Sequence, residues 1–221
     1  MFVNWAHHLT PKFSFVFSYI ANPLFIYLIH NNNQVLLGPY RYLLFFFAIF
    51  NMLASLVDIL VPVCVHDYQY ACITFLVDGP FSQRSELGEL ALAVRCAFIA
   101  GTYGILDVHF MFRYLVLKRN DLIARFFMPY GLLASVVYVT VHMVIWAMID
   151  LNCIYSAPEM RDYVRESFNE TFHEDIDNIN FLAGLFSQAS PDIIRRSWAG
   201  LVLLTTVASY SIVLYVIIGN K

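Results

Sequence analysis

Several ionisable side chains interrupt long apolar stretches of this sequence, among them Asp58, Asp107, His109, Arg113 and His142. If these stretches cross a bilayer, each buried charge costs about 2.5–3.5 kcal/mol on insertion scales and must face a partner or a cavity. One interpretation is an ion-pair or switching network inside a helical bundle, which we favour for Asp58 and Arg113. The other is structural hydrogen bonding that fixes helix packing, which we favour for His142. Arg113 can also extend its long side chain to lipid headgroups.

The motifs of common enzymes and metal sites are absent from the sequence. It contains no H-E-x-x-H, no Walker loop, no G-x-S-x-G and no C-x-x-C. The His7-His8 pair has no carboxylate or cysteine nearby, and adjacent side chains point in different directions. The apolar stretches also lack the paired aspartates of a membrane hydrolase. We therefore expect no enzymatic activity, no metal site and no cofactor.

The composition indicates an integral membrane protein. Apolar residues make up 60% of the 221 residues, and charged residues make up 13%, against about 25% in a soluble domain. A soluble domain of this length must keep a polar exterior and cannot hide so much apolar surface, whereas a lipid bilayer solvates it directly. The net charge of −3 argues against a nucleic-acid partner. Residues 1–12 lack the pattern of a removable signal peptide.

The long apolar stretches predict membrane-spanning α-helices. About 20 mostly apolar residues cross the hydrocarbon core as a helix, and a helix satisfies its own backbone hydrogen bonds there. We therefore predict an all-α, polytopic transmembrane helix bundle with about five spans, forming a single domain over residues 1–221. The approximate spans are 13–30, 42–65, 90–117, 126–149 and 198–218.

Charge distribution predicts the orientation of the chain. The loop after the third span carries the densest group of basic residues, at 117–125, and the positive-inside rule places it in the cytoplasm. The N-terminus and the loops 66–89 and 150–197 then lie outside, and the C-terminus lies inside. The loop at 150–197 is the only long polar segment, and it holds most of the acidic residues.

The positions of a glycosylation motif and of the cysteines support this orientation. Asn169 opens the only N-x-S/T motif, in the predicted outer loop, although such motifs also occur by chance. Cys64, Cys72, Cys96 and Cys153 all fall at the outer side, where oxidising conditions permit disulfides. Four cysteines allow three pairings, and we favour Cys96 with Cys153 by position. The alternative is that they remain free and pack as small hydrophobes.

Six short motifs follow one another along the whole chain in a distinctive order and spacing. They are N-W-A-H-H at 4–8, N-P-L-F-I-Y-L-I at 22–29, G-P-Y-R-Y-L-L at 38–44, H-F-M-F-R-Y-L at 109–115, M-R-D-Y-V-R-E-S-F at 160–168 and L-A-G-L-F-S at 182–187. Together they resemble the nematode serpentine chemoreceptors of class J. This group belongs to the Str superfamily of seven-helix, G-protein-coupled-type receptors.

The resemblance implies a chemosensory, olfactory-type receptor in the plasma membrane of a sensory neuron or its cilium. A small environmental molecule would bind among the helices toward the outer face, and a heterotrimeric G protein would bind at the inner face. Phe112, Arg113 and Tyr114 occupy the place of the aspartate-arginine-tyrosine switch of rhodopsin-like receptors. Because Phe112 replaces the acid, the usual lock between the arginine and that acid is absent.

The resemblance also implies seven helices, whereas this sequence ends after the fifth predicted span. In the family, the further helices help to form the ligand cavity, and the sixth moves to open the G-protein site. The leading hypothesis is a chemoreceptor-type protein that binds a small ligand and couples to a G protein, and signalling by these five helices alone is left open. One alternative is an interaction protein that pairs with full-length receptors. Another is a transporter or channel subunit, although the sequence lacks the internal repeats typical of transporters.

Overall fold

The computed structural model describes residues 5–31, 38–118 and 127–219, and most of these residues are helical. Within these ranges, five helices are long and apolar enough to cross a membrane. This finding confirms the predicted polytopic helix bundle. A π-helical turn at Phe127–Gly131 precedes the fourth of them. The long helices are α1 (Trp5–Asn31), α2 (Tyr40–Leu60), α3 (Glu86–Lys118), α4 (Leu132–Cys153) and α6 (Pro191–Gly219).

Helix α3 lies at the centre of the bundle. It packs along α4, α6 and α2, while α1 packs against α2. Small residues on its buried face allow this close packing, as is common between membrane helices. A Cβ atom added at Gly101 would lie 2.6 Å from Cζ of Phe50 on α2, so a larger residue here would displace the Phe50 ring. With 33 residues, α3 is about 50 Å long and connects the two ends of the bundle.

A small mixed lobe covers one end of the bundle. We call it the sheet lobe, and it comprises residues 61–85 and 154–190. It contains the antiparallel strands β1 (Val63–Tyr68), β2 (Ala71–Leu76) and β3 (Phe181–Leu185), in the order β1-β2-β3, and the helix α5 (Pro158–Phe172). Residues 66–89 and 150–197 were predicted to be loops, because strands of five or six residues give only a weak periodic signal among turn-forming residues.

One face of the sheet packs on α5, and part of the other face packs on the bundle. Successive strand residues point to opposite faces, so alternate residues of β2 separate into two sets. One set joins the buried face of α5 in an apolar core, and the other set faces the helix ends of the bundle. The first set is Ala71, Ile73 and Phe75, which share a core with Met160, Val164, Phe168 and Phe172; the second includes Cys72, Thr74 and Leu76.

Asn180 attaches the sheet lobe to the start of α3. Its side chain is fully buried and donates to the backbone carbonyls of Phe81 and Gln83, both at 2.6 Å. Its Oδ1 accepts from the backbone N–H of Ser85 at 2.8 Å. The Ser85 hydroxyl in turn accepts from the backbone N–H of Gly88 at 3.0 Å, in the first turn of α3. These hydrogen bonds hold the lobe against the central helix.

Two of the helix ends that differ from the predicted spans change the position of an acidic residue of the candidate site. Helix α2 ends at Leu60, not near residue 65, because Pro62 cannot continue a helix and disfavours helical geometry in the residue before it. Asp58 therefore lies in the last turn of α2 and not near its middle. Helix α4 continues to Cys153, so Asp150 lies in the helix rather than in the predicted loop.

We expect that Phe168→Ala will destabilise the sheet lobe by about 3–5 kcal/mol, because it removes a large buried side chain from a packed core. The Phe168 ring is fully buried and lies 5.0 Å from the Phe75 ring and 4.8 Å from the Phe172 ring. The loss of lobe stability is measured by unfolding the detergent-purified protein and monitoring how readily a protease cleaves the lobe. Glu166→Ala, at an exposed position of the same helix, is the control, and equal effects would contradict this packing.

Acidification should also weaken the lobe through His66. Burial lowers the pKa of His66, and the neighbouring Asp67 opposes this shift only in part. An unfolded histidine titrates near pH 6.5, so below about pH 6.5 the unfolded state binds more protons than the folded state, and stability falls as the pH falls. Lobe unfolding measured from pH 7.5 to pH 5 tests this. His66→Gln should flatten the dependence, and an unchanged slope would refute the assignment.

Candidate functional site

A buried carboxylate connects three helices in the middle of the bundle. Asp107 on α3 has no exposed surface. Its Oδ2 accepts a hydrogen bond from the Tyr138 hydroxyl on α4 at 2.9 Å and another from the Ser211 hydroxyl on α6 at 3.0 Å. Its Oδ1 has no hydrogen-bond partner among the described residues. We call Asp107, Tyr138, His142 and Ser211 the Asp107 node.

His142 completes this node from one turn further along α4. Its ring stacks near the Tyr138 ring, with centroids 6.3 Å apart. The side chain lies against Gly104 of α3, where an added Cβ would be 3.6 Å away. Its Nε2 is buried and has no hydrogen-bond partner in the described part of the chain. The structure therefore brings two of the polar residues singled out from sequence, Asp107 and His142, into one place.

A cavity of about 390 Å³ lies between the Asp107 node and the sheet lobe. We call it the lobe-side cavity. Helices α3, α4 and α6 and strands β2 and β3 all contribute to its wall. Its polar and aromatic lining comes from Cys72, Thr74, Cys96, Trp146, Asp150 and Phe186. Asp150 is only 4% exposed, and its Oδ2 has no hydrogen-bond partner among the described residues.

Asp58 forms an ion pair close to this end of the bundle. Its Oδ1 lies 2.7 Å from Nη2 of Arg95 on α3, and both side chains are partly exposed. Asp58 was predicted from the sequence as a candidate, but its partner Arg95 was not. Residue spacing within α3 does not show which acid of another helix Arg95 faces. The ion pair joins α2 to α3.

The opposite end of α3 carries an aromatic cluster. The Tyr40 hydroxyl lies 3.0 Å from Nδ1 of His109, and the Tyr40 ring stacks on Phe112 with centroids 5.0 Å apart. Phe47 adds an edge contact to His109 at 5.6 Å. We call Tyr40, Phe47, His109, Phe112 and Arg113 the Tyr40 cluster. The motifs at 38–44 and 109–115 thus contact each other directly.

The three switch candidates from the sequence point in different directions. Phe112 is buried and makes an edge contact with Phe127 at 4.6 Å. Arg113 is exposed and lines a cavity of about 240 Å³ beside Tyr40 and His109. It forms no salt bridge with the described residues, which exclude 119–126. Tyr114 lines a different cavity, between α3 and α6.

The motif at 160–168 has a structural role in the sheet lobe. The Tyr163 hydroxyl donates to Oε1 of Gln69 at 3.1 Å, and the Ser167 hydroxyl lies 3.0 Å from Nε2 of His66. Both contacts fasten α5 to the hairpin of β1 and β2. The buried Arg161 guanidinium donates to the backbone carbonyls of Ile176 and Ile179. It also lies 4.4 Å from the centroid of the Phe181 ring.

All four cysteines are free thiols in the structure, so the predicted bond between Cys96 and Cys153 is not formed. Cys153 packs against α6, since a Cβ atom added at Gly200 would lie 2.9 Å from the Cβ atom of Cys153. Cys96 instead faces the lobe-side cavity. Burial and the nearby Asp67 raise the pKa of Cys72 to about 11, so this thiol is protonated at neutral pH. Glycosylation of the exposed Asn169 stays a prediction.

Asp150 is the main functional candidate that the sequence analysis missed, since it was assigned to the long loop. Periodicity could have revealed it. It lies eight residues after His142, two helical turns onward on the same buried face of α4. Among the described residues there is no group of three or more His, Cys, Asp or Glu side chains that could hold a metal ion.

Comparison with known proteins gives one consistent family. Residues 1–221 match the family described as serpentine type 7TM GPCR chemoreceptor Srj. The chain is 33% identical to serpentine receptor class J-38 of Caenorhabditis elegans, over 99% of this chain and 66% of that protein. It is 23% identical to the G-protein coupled receptor str-33 of Caenorhabditis elegans, over 76% of this chain and 49% of that protein.

A more distant relative is serpentine receptor class r-10 of Caenorhabditis briggsae, 22% identical over 82% of this chain and 52% of that protein. The chain thus spans just under two thirds of the class J-38 receptor and about half of the other two. No solved structure matches this chain.

Removing the two hydroxyls of the Asp107 node should have a larger effect than the sum of the single changes. We expect Tyr138→Phe and Ser211→Ala each to cost about 1 kcal/mol of stability, in the range for hydrogen bonds between membrane helices. The double variant should cost more than both together, because it leaves a buried carboxyl oxygen unsatisfied. Unfolding in detergent measures all three variants.

The control for this cycle is Thr140→Ala, whose hydroxyl donates only to a carbonyl of its own helix, that of Val136 at 2.9 Å. Strictly additive effects of the two node substitutions would show that the hydroxyls do not share the Asp107 carboxylate.

Proposed function

This chain belongs to the Srj family of serpentine chemoreceptors, and we propose that it is a chemosensory receptor protein that binds a small environmental molecule in the lobe-side cavity. The observation that carries this proposal is the cavity itself. At about 390 Å³ it falls within the range of about 300–1,000 Å³ that is typical of small-molecule sites. It lies between membrane-length helices and a folded lobe, where a ligand contacts several elements at once.

We place the sheet lobe outside the cell and the C-terminus in the cytoplasm. The lobe is acidic and carries the exposed glycosylation motif at Asn169. It lies at the opposite end of α3 from Lys118, where the basic segment 117–125 begins; most of that segment lies outside the described residues. Basic segments favour the cytoplasmic side. We propose that this membrane is the plasma membrane of a sensory neuron or its cilium, and the match to a chemoreceptor family supports this proposal.

The node provides a connection between the proposed ligand site and the cytoplasmic end. The helices that line the lobe-side cavity, α3, α4 and α6, are the three that meet at Asp107. A ligand that moves one of them relative to the others therefore acts on these shared hydrogen bonds. Arg113 lies six residues further along α3, about 9 Å away along the helix axis. We propose that Arg113, exposed at this end, contacts a heterotrimeric G protein.

Replacement of Arg113 tests the coupling part of this proposal. In cells that express the protein, Arg113→Ala should reduce the second-messenger response to an activating odorant at least about tenfold, a loss of about 1.4 kcal/mol of coupling. Surface expression should not change, because the side chain is exposed. Arg113→Lys keeps the charge and should retain part of the response.

The matched control is Lys118→Ala, which removes a basic side chain at the same end of α3. A wild-type response from Arg113→Ala would refute the role of Arg113 in coupling. The assay is repeated with the class J-38 receptor co-expressed. A response that appears only under co-expression would indicate an interaction partner of related receptors rather than an independent receptor.

A further inference from the structure

The lobe-side cavity contains a carboxylate that no protein group neutralises among the described residues. Asp150 is almost completely buried, and its Oδ2 is without a hydrogen-bond partner there. No salt bridge joins it to a described residue. Arg95 precedes the wall residue Cys96 in the sequence, but it already forms an ion pair with Asp58, with Nη2 2.7 Å from Oδ1. An ionised carboxylate in apolar surroundings is strongly unfavourable, so the group either takes up a proton or pairs with a group of opposite charge.

The rest of the cavity wall is suited to an apolar group. Ile99, Leu182 and Leu201 contribute aliphatic surface, and Trp146 and Phe186 contribute aromatic surface. Asp150 is the one residue with a carboxylate, and no basic residue lines the cavity in the described part of the chain. A ligand that complements this wall therefore carries one cationic hydrogen-bond donor on a compact alkyl or aryl body.

We propose that the ligand of the lobe-side cavity is a small organic amine whose ammonium group donates to the Asp150 carboxylate. This inference rests on the proposed function, since it names the ligand class of the same cavity. The ammonium neutralises the buried carboxylate, and the apolar body fills the space under strands β2 and β3. An ionised carboxylate ligand is disfavoured by like-charge repulsion, because two carboxylates in such a site cannot both remain ionised.

The test compares two probes of nearly equal shape, phenethylamine and 2-phenylethanol. Binding to the purified protein in detergent is measured by ligand-induced thermal stabilisation and by saturation-transfer NMR. We expect phenethylamine to bind the native protein more tightly than the alcohol. Asp150→Asn keeps the side-chain shape but removes the charge, so amine affinity should fall on the order of 100-fold. Alcohol affinity should change by less than about threefold.

Two further variants complete the test. Glu170→Gln neutralises an exposed acid on α5 and should leave both affinities unchanged. Leu201→Trp fills the cavity while Asp150 remains, so it should abolish amine binding. This variant decides the question if Asp150→Asn does not fold.

Equal amine binding by the native protein and Asp150→Asn would overturn the inference, as would tighter binding of the alcohol or no binding of either probe. The proposed function is judged separately in cells. A second-messenger response to neutral odorants that Leu201→Trp blocks would support the chemoreceptor and overturn only the amine assignment. No response to any compound of a broad odorant panel would overturn the proposed function itself.

Discussion

The shared hydrogen bonding of one buried carboxylate constrains the arrangement of this bundle. Asp107 has no contact with solvent, and its Oδ2 depends on Tyr138 and Ser211, which lie on two other helices. Lipid offers no alternative partner, so α3, α4 and α6 must keep the relative positions that satisfy this oxygen. The lobe-side cavity and the Tyr40 cluster are carried by the same α3, and their geometry depends on that arrangement.

Four of the six short motifs form contacting pairs, one pair at each end of the molecule. At one end, Tyr40 from the motif at 38–44 contacts His109 and Phe112 from the motif at 109–115. At the other end, the motifs at 160–168 and 182–187 build α5 and β3 of the sheet lobe. Each of these four motifs therefore reflects a packing requirement of one end. The two ends differ in chemistry: one is an acidic folded lobe, and the other is an aromatic cluster with an exposed arginine.

Sequence reasoning succeeded where a property depends on neighbouring residues of one segment. The helix bundle follows from the long apolar stretches, and Asp107 and His142 were recognisable as buried polar groups. It failed where a property depends on the contact between two segments that are distant in the sequence. The strands of the sheet lobe are short, and the pairing of Ile73 with Ala183 joins segments more than a hundred residues apart. The absence of a bond between Cys96 and Cys153 likewise depends on which helix each thiol faces.

What the sequence determined by itself is the class of molecule: apolar stretches of sufficient length require lipid and helical hydrogen bonding, wherever the helices then pack. The tertiary structure alone decided which polar groups meet. It paired Asp58 with Arg95, joined Asp107 to Ser211, and left Asp150 facing a cavity. The physical reason is that hydrophobicity acts on each segment independently, whereas hydrogen bonds and ion pairs are directional and act over a few ångströms between segments distant in the chain.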